Sequence, residues 1–139
     1  MTGIELPKTM PAVVCHGPYD YRLEEVPVPE AGPGEVVIQV QACGVCASDM
    51  KCYTGAPLFW GDEHRVPYVE GPVIAGHEFT GKVAQFGQGV TEKYGLQIND
   101  TAIAEQIVPC WNCRYCQTGK YWLCKIHNIF GFQQVVNGG

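Results

Sequence analysis

The sequence predicts a mostly β domain, broken by short helices and carrying a small lobe built on thiols. Three observations carry that prediction. The chain spreads 17 glycines and 10 prolines between short β-branched runs, a pattern of many strands and turns and few long helices. Apolar residues make up 46% and charged residues 17% of 139 positions, which suits one packed body and is too little chain for two ordinary domains. Cys110, Cys113, Cys116 and Cys124 crowd half of the 8 cysteines into one stretch.

Residues 1–10 read as a loose arm. Ala12 to Cys15 and Tyr21 to Val26 read as a hairpin around Gly17-Pro18. Val26 to Gly34 follows as an extended connection stiffened by Pro27, Pro29 and Pro33. Glu35 to Ala42 is a strand whose Val37 and Val40 face opposite ways, so both faces are expected to be covered. Ser48 or Asp49 is expected to cap a short helix that Gly55 stops. Residues 54–72 read as a long, mostly irregular loop carrying Leu58, Phe59, Trp60 and His64. Phe59 and Trp60 fit a substrate pocket and ordinary packing equally well. Pro72 to Gly76 and Phe79 to Phe86 are extended, and Thr101 to Glu105 is a short strand before the lobe begins at Pro109. After Cys124 the chain passes Ile129-Phe130-Gly131-Phe132 and reaches Gly138-Gly139 without a closing element, so it reads as a fragment.

The thiol run is the strongest chemical signal. Cys110-Trp-Asn-Cys113-Arg-Tyr-Cys116 continues through Gly119 to Cys124, with spacings of two, two and seven residues. Thiolates are soft donors that zinc prefers, and four of them fill its tetrahedral shell. A filled shell leaves no position for substrate, so this zinc is expected to build structure. Two C-x-x-C pairs sharing Cys113 do not form a simple two-cysteine redox motif.

A second donor set lies outside the lobe in Cys46, His77 and Glu78. Cysteine plus histidine with an open position is a catalytic zinc set. Neighbouring strand residues point apart, so Glu78 joins His77 on one metal only if the backbone kinks, which Gly76 permits. Without that kink, Glu78 sits near the metal and shapes its field.

These residues carry a resemblance. Gly76-His77-Glu78-Phe-Thr-Gly81, continuing to Gly87-Gln-Gly89-Val90, resembles the zinc signature of the medium-chain, zinc-dependent alcohol dehydrogenases. Cys43-Gly-Val-Cys46-Ala-Ser48-Asp49 resembles that family's catalytic-cysteine segment, and the thiol lobe resembles its structural zinc loop. The three motifs stand in the family's order from Glu35 to Cys124. The resemblance implies a GroES-like, partly open β-barrel with short helices and a structural zinc lobe at 110–124. It implies that Cys46 and His77 ligate catalytic zinc, with Glu78 as alternative ligand or close neighbour. Asp49 would orient His77, and Ser48 would accept the alcohol's proton. The reaction implied is hydride transfer from an alcohol, such as a polyol or threonine, to NAD or NADP in a full-length, homo-oligomeric parent. Similar enzymes often carry histidine three residues after the serine, where this chain has Lys51. A lysine, ordinarily protonated at neutral pH, is a poor proton carrier there.

Other classes are disfavoured. The net charge is −5 and the nine basic residues form no cluster, so nucleic acid is not an expected partner. No run approaches the ~20 apolar residues of a membrane helix, and no signal peptide precedes the cysteines, which makes the cytoplasm the expected compartment. No G-x-G-x-x-G joins a strand to a helix, so the family's Rossmann cofactor domain is not expected within 1–139 and these residues alone are expected to be inactive. Two alternatives stand beside the enzyme. A non-enzymatic zinc module would need only the thiol lobe, and a redox protein using Cys43 and Cys46 would need a thioredoxin-like βαβ context.

Overall fold

Strand pairing starts at the N-terminal arm, which the sequence had suggested was loose. The computed structural model describes residues 2–134 and Gly138, so Met1 and Gly139, the end of the expected open tail, lie outside the described residues. In chain order the strands are β1 (Thr2–Gly3), β2 (Thr9–Gly17), β3 (Asp20–Pro27), β4 (Val36–Cys43), β5 (Val73–Ile74), β6 (Phe79–Phe86), β7 (Thr101–Ile103), β8 (Ile107–Val108) and β9 (Asn128–Ile129). The helices are α1 (Ala47–Tyr53), α2 (Pro57–Trp60), α3 (Val90–Tyr94) and α4 (Arg114–Gln117), with a 3₁₀ turn at Tyr121–Leu123. The arm is held because β1 pairs antiparallel with the end of β6, Thr2 opposite Phe86, and Ile4 N donates to Ala84 O at 2.9 Å.

The expected hairpin forms with longer strands than the sequence suggested. β2 and β3 run antiparallel from Thr9 opposite Pro27 to Cys15 opposite Tyr21, and Tyr19 takes φ 59° at the turn. β5 adds to the other edge of β2. β6 is the spine of the second sheet: β4 pairs along one edge, while β1 and β7 share the other. β8 and β9 make a separate pair at the base of the thiol lobe. Among the described residues these sheets do not close into a barrel.

One expectation about cover fails. β4 is half-buried only from Val36 to Ile38 and exposed from Gln39 onward, because no described element lies across its outer face. The loop at 54–72 is mostly irregular, as expected, with one short helix: Pro57 starts α2, where its missing N–H costs nothing, and Gly61 at φ 78° ends it. Phe59 of α2 is buried against Phe132, ring centroids 5.1 Å apart, and Trp60 Nε1 donates to Cys52 O at 2.7 Å. The packing reading of these aromatics holds for Phe59.

Two apolar clusters result. One gathers Cys15, Cys52, Phe59, Val69, Val73 and Phe132 between the hairpin, α1, α2 and the segment after β9. The other gathers Val83, Phe86 and Val90 beneath β6 and α3. Each fully buried Val or Phe contributes roughly 1.5–3 kcal/mol. The first cluster supports the second donor set, since its member Phe132 lies against His77 with centroids 5.1 Å apart. No helix among the described residues is long and apolar enough to cross a membrane.

Candidate metal centres

Cys46 stands at the turn where β4 gives way to α1. It occupies the N-cap with extended φ −93° and ψ 158°, so neither Ser48 nor Asp49 is the cap as expected. Asp49, three residues on, returns its carboxylate to the cap: Cys46 N donates to Asp49 Oδ2 at 2.8 Å. This fixes the backbone that carries the Cys46 thiol. Helix α1 ends at Tyr53, and Gly55 at φ 80° turns the chain away, as the sequence suggested.

His77 and Glu78 follow a bend. Gly76 takes φ 101°, a conformation costly for any residue with a Cβ. The kink that Glu78 required is therefore present, and one donor atom each from Cys46, His77 and Glu78 lie within 4.8 Å of one another. Gly44 helps hold Glu78: its N–H donates to Glu78 O at 2.8 Å, and a Cβ added there would come within 3.0 Å of Glu78 Oε2.

The His77 ring is 2% exposed. Its Nε2 lies 3.2 Å from Ser48 Oγ. Its Nδ1 lies 3.3 Å from Asp49 Oδ1, but alignment is poor and Nδ1 has no hydrogen-bond partner. The expected orientation of His77 by Asp49 is thus met in proximity and not in hydrogen-bond geometry. A buried imidazole beside a thiol and a carboxylate is a donor set that fits a divalent metal.

The four thiols of the lobe also converge within 4.8 Å. Cys113 Sγ and Cys116 Sγ are 3.6 Å apart, and Cys110 Sγ and Cys116 Sγ 4.0 Å. Zinc–sulfur bonds of ~2.3 Å place tetrahedral sulfurs about 3.8 Å apart, so the spacing matches a four-thiolate zinc. Left-handed turns at Trp111, φ 55°, and Gly119, φ 75°, fold the loop back on itself. Backbone N–H groups do the electrostatic work. Those of Cys116 and Lys125 lower the Cys113 thiol to about 6, and those of Cys110 and His127 lower Cys124 to about 7. Desolvation pushes Cys116 up to about 12. No disulfide links the cysteines, and Cys43 is exposed with its thiol turned to Gly44 O at 3.6 Å.

Some supporting residues left no trace in the sequence reading. Gln133 is 5% exposed; its Oε1 accepts from Ile129 N at 2.7 Å and its Nε2 donates to Tyr68 O at 3.1 Å. Tyr68 Oη in turn donates to His127 O at 2.7 Å. These bonds pin Phe132 against His77, and Gly131 at φ 80° meets Gly76 backbone to backbone. The two glycines in Gly76-His and Phe-Gly131-Phe were the only available hint. Beside His77 and Glu78 a cleft of about 360 Å³ opens, lined also by residues 103–106.

Comparison with known proteins agrees with this geometry. Residues 32–139 match the alcohol dehydrogenase GroES-like domain. An erythritol/L-threitol dehydrogenase of Mycolicibacterium smegmatis is 50% identical over 134 residues, covering 96% of this chain and 37% of that protein. An L-threonine 3-dehydrogenase of Pyrococcus abyssi is 35% identical over 128 residues, covering 92% of this chain and 32% of its own length. A zinc-binding dehydrogenase from Sinorhizobium meliloti 1021, solved bound to NADP, superposes with TM-score 0.78 at 26% identity, covering 96% of this chain and 34% of that one. The chain thus spans about a third of the length of the curated relatives it matches. On the match over residues 32–139, the chain belongs to the alcohol dehydrogenase GroES-like domain family.

Proposed function

We propose that the polypeptide carrying this domain is a zinc-dependent, NAD- or NADP-linked dehydrogenase that oxidises a small alcohol, either a polyol or a hydroxy amino acid such as threonine. One observation carries the reading: donor atoms of Cys46, His77 and Glu78 meet within 4.8 Å, with Ser48 Oγ 3.2 Å from His77 Nε2. A structural zinc module needs the thiol lobe and none of these four residues. The relatives support both substrate classes, since they are named for polyols and for threonine.

In this reading Cys46, His77 and Glu78 hold a zinc, and Cys110, Cys113, Cys116 and Cys124 hold another. When bound, the catalytic zinc supplies Lewis acidity that eases loss of the alcohol's proton, and the nicotinamide takes up hydride. The chain's own residues do the rest. Asp49 fixes the Cys46 backbone with one oxygen and faces His77 with the other. Ser48 Oγ accepts the substrate's proton and gives up its own. Lys51, exposed and one turn further along α1, stands where similar enzymes carry histidine, so the proton leaves Ser48 for solvent. Residues 1–139 form one catalytic domain containing the 110–124 lobe, and the nucleotide is held by other parts of a cytoplasmic homo-oligomer.

The test is turnover by the full-length enzyme. With zinc, it should reduce NAD or NADP in the presence of a polyol or threonine, and Cys46→Ala or His77→Ala should abolish the reaction. Normal turnover by His77→Ala would overturn the zinc assignment.

A further inference from the structure

The cleft beside the second donor set has an uneven chemistry. It is about 360 Å³, open to solvent, and two donor residues, His77 and Glu78, form one wall. Thr80, Glu105 and Gln106 supply its other polar groups, and the remaining wall positions are apolar. Thr80 is already engaged, its Oγ1 donating to Ala102 O at 3.0 Å. Glu105 and Gln106 are exposed, and the sole bond of either side chain among the described residues is a long 3.5 Å contact from Ile107 N to Glu105 Oε1. The cleft therefore offers one carboxylate and one amide with spare hydrogen-bonding capacity. Among the described residues its lining includes no Lys or Arg.

We propose that this cleft receives the hydroxyl chain of a neutral polyol, with Glu105 and Gln106 reading the hydroxyls next to the one oxidised. The inference rests on the dehydrogenase reading above and chooses between its two substrate classes. A carboxylate accepts hydrogen bonds from two vicinal hydroxyls, and an amide can donate to one and accept from another. A hydroxy amino acid brings a carboxylate of its own. With Glu105 in the wall and no cation among the cleft's described lining residues, that group meets like charge. Glu78 can be neutralised by a metal, whereas Glu105, outside the donor set, keeps its repulsion.

The experiment compares kcat/KM for erythritol, L-threonine and 2-butanol in the full-length enzyme and in Glu105→Ala and Glu105→Gln. Wild type should prefer erythritol over threonine. In Glu105→Ala the ratio of erythritol to 2-butanol should fall about tenfold, mostly through KM, as expected for one lost hydrogen bond to a charged group. Glu105→Gln should recover much of that ratio and raise threonine relative to erythritol, because charge is removed and hydrogen bonding kept. Zinc content should match wild type in both variants. Preference for threonine in wild type, a parallel fall of erythritol and 2-butanol, or loss of zinc on substitution would each overturn the proposal. The dehydrogenase reading survives all three outcomes; it fails separately, and takes this proposal with it, if wild type oxidises no alcohol.

Discussion

One carboxylate, that of Asp49, faces two candidate donor residues that come from distant parts of the chain, Cys46 and His77. Oδ2 takes the Cys46 N–H at 2.8 Å while Oδ1 sits 3.3 Å from His77 Nδ1. Asp49→Asn keeps the shape and removes the charge beside the imidazole. Support of this kind is worth 10–100-fold in metal affinity. Asp49→Asn should therefore weaken zinc at the Cys46 site by about that factor, read by competition with a chromophoric chelator, and leave the thiol lobe's zinc in place. Ser48 is tested by turnover. Ser48→Ala in the full-length enzyme should lower kcat about a hundredfold, in the range of lost general acid–base help. The deficit should be largest at low pH, where the alcohol keeps its proton most firmly, so a pH-independent deficit would count against proton acceptance by Ser48.

Elements place these residues, and here the sequence was legible unevenly. The β-branched run Val36–Val40 announced a strand, but which faces are covered depends on distant packing, and β4 proved exposed beyond Ile38. Cysteine is not a favoured N-cap, so the choice fell on Ser48 or Asp49; the acid three positions after Cys46 was the signal for the true cap. Helix α3, five residues between Gly89 at φ 87° and Gly95 at φ 68°, is too short to show a helical period. Both donor sets, by contrast, were readable, because metal chemistry restricts residue type and spacing far more than packing does. Gly81, part of the signature, has a structural role: it lies opposite Val40, and a Cβ there would strike the Gln39 carbonyl of β4. Gly81→Ala should cost about 1–3 kcal/mol by forcing β4 from β6. Denaturant unfolding would measure it, and an unchanged midpoint would mean the strands can part without loss.

For the molecule as a whole, four thiols against three mixed donors set an order of filling. Zinc added at one equivalent to the 139-residue chain should occupy the thiol lobe first, and Cys113→Ser should lower both zinc content and thermal stability. The pH dependence follows from the protons displaced. Cys113 and Cys124, held at about 6 and about 7, are largely thiolate above neutrality, while Cys116, pushed up to about 12, keeps its proton until metal arrives. The metal-free lobe thus holds more protons than the loaded one, so zinc affinity should rise as pH goes from 6 to 9. Calorimetry in buffers of different ionisation enthalpy would detect the released protons, and a flat profile would mean that the thiols are already ionised. The stem of the lobe has a further consequence. Ile107 and Val108 pair with Ile129 and Asn128, so the chain enters and leaves the lobe through adjacent strands. Topologically the whole thiol loop is one oversized hairpin turn, a detachable cassette whose two ends already touch. Evolution could lengthen, shorten or discard such a cassette without rethreading the sheets that carry Cys46 and His77, provided the Tyr68–His127 bond is replaced.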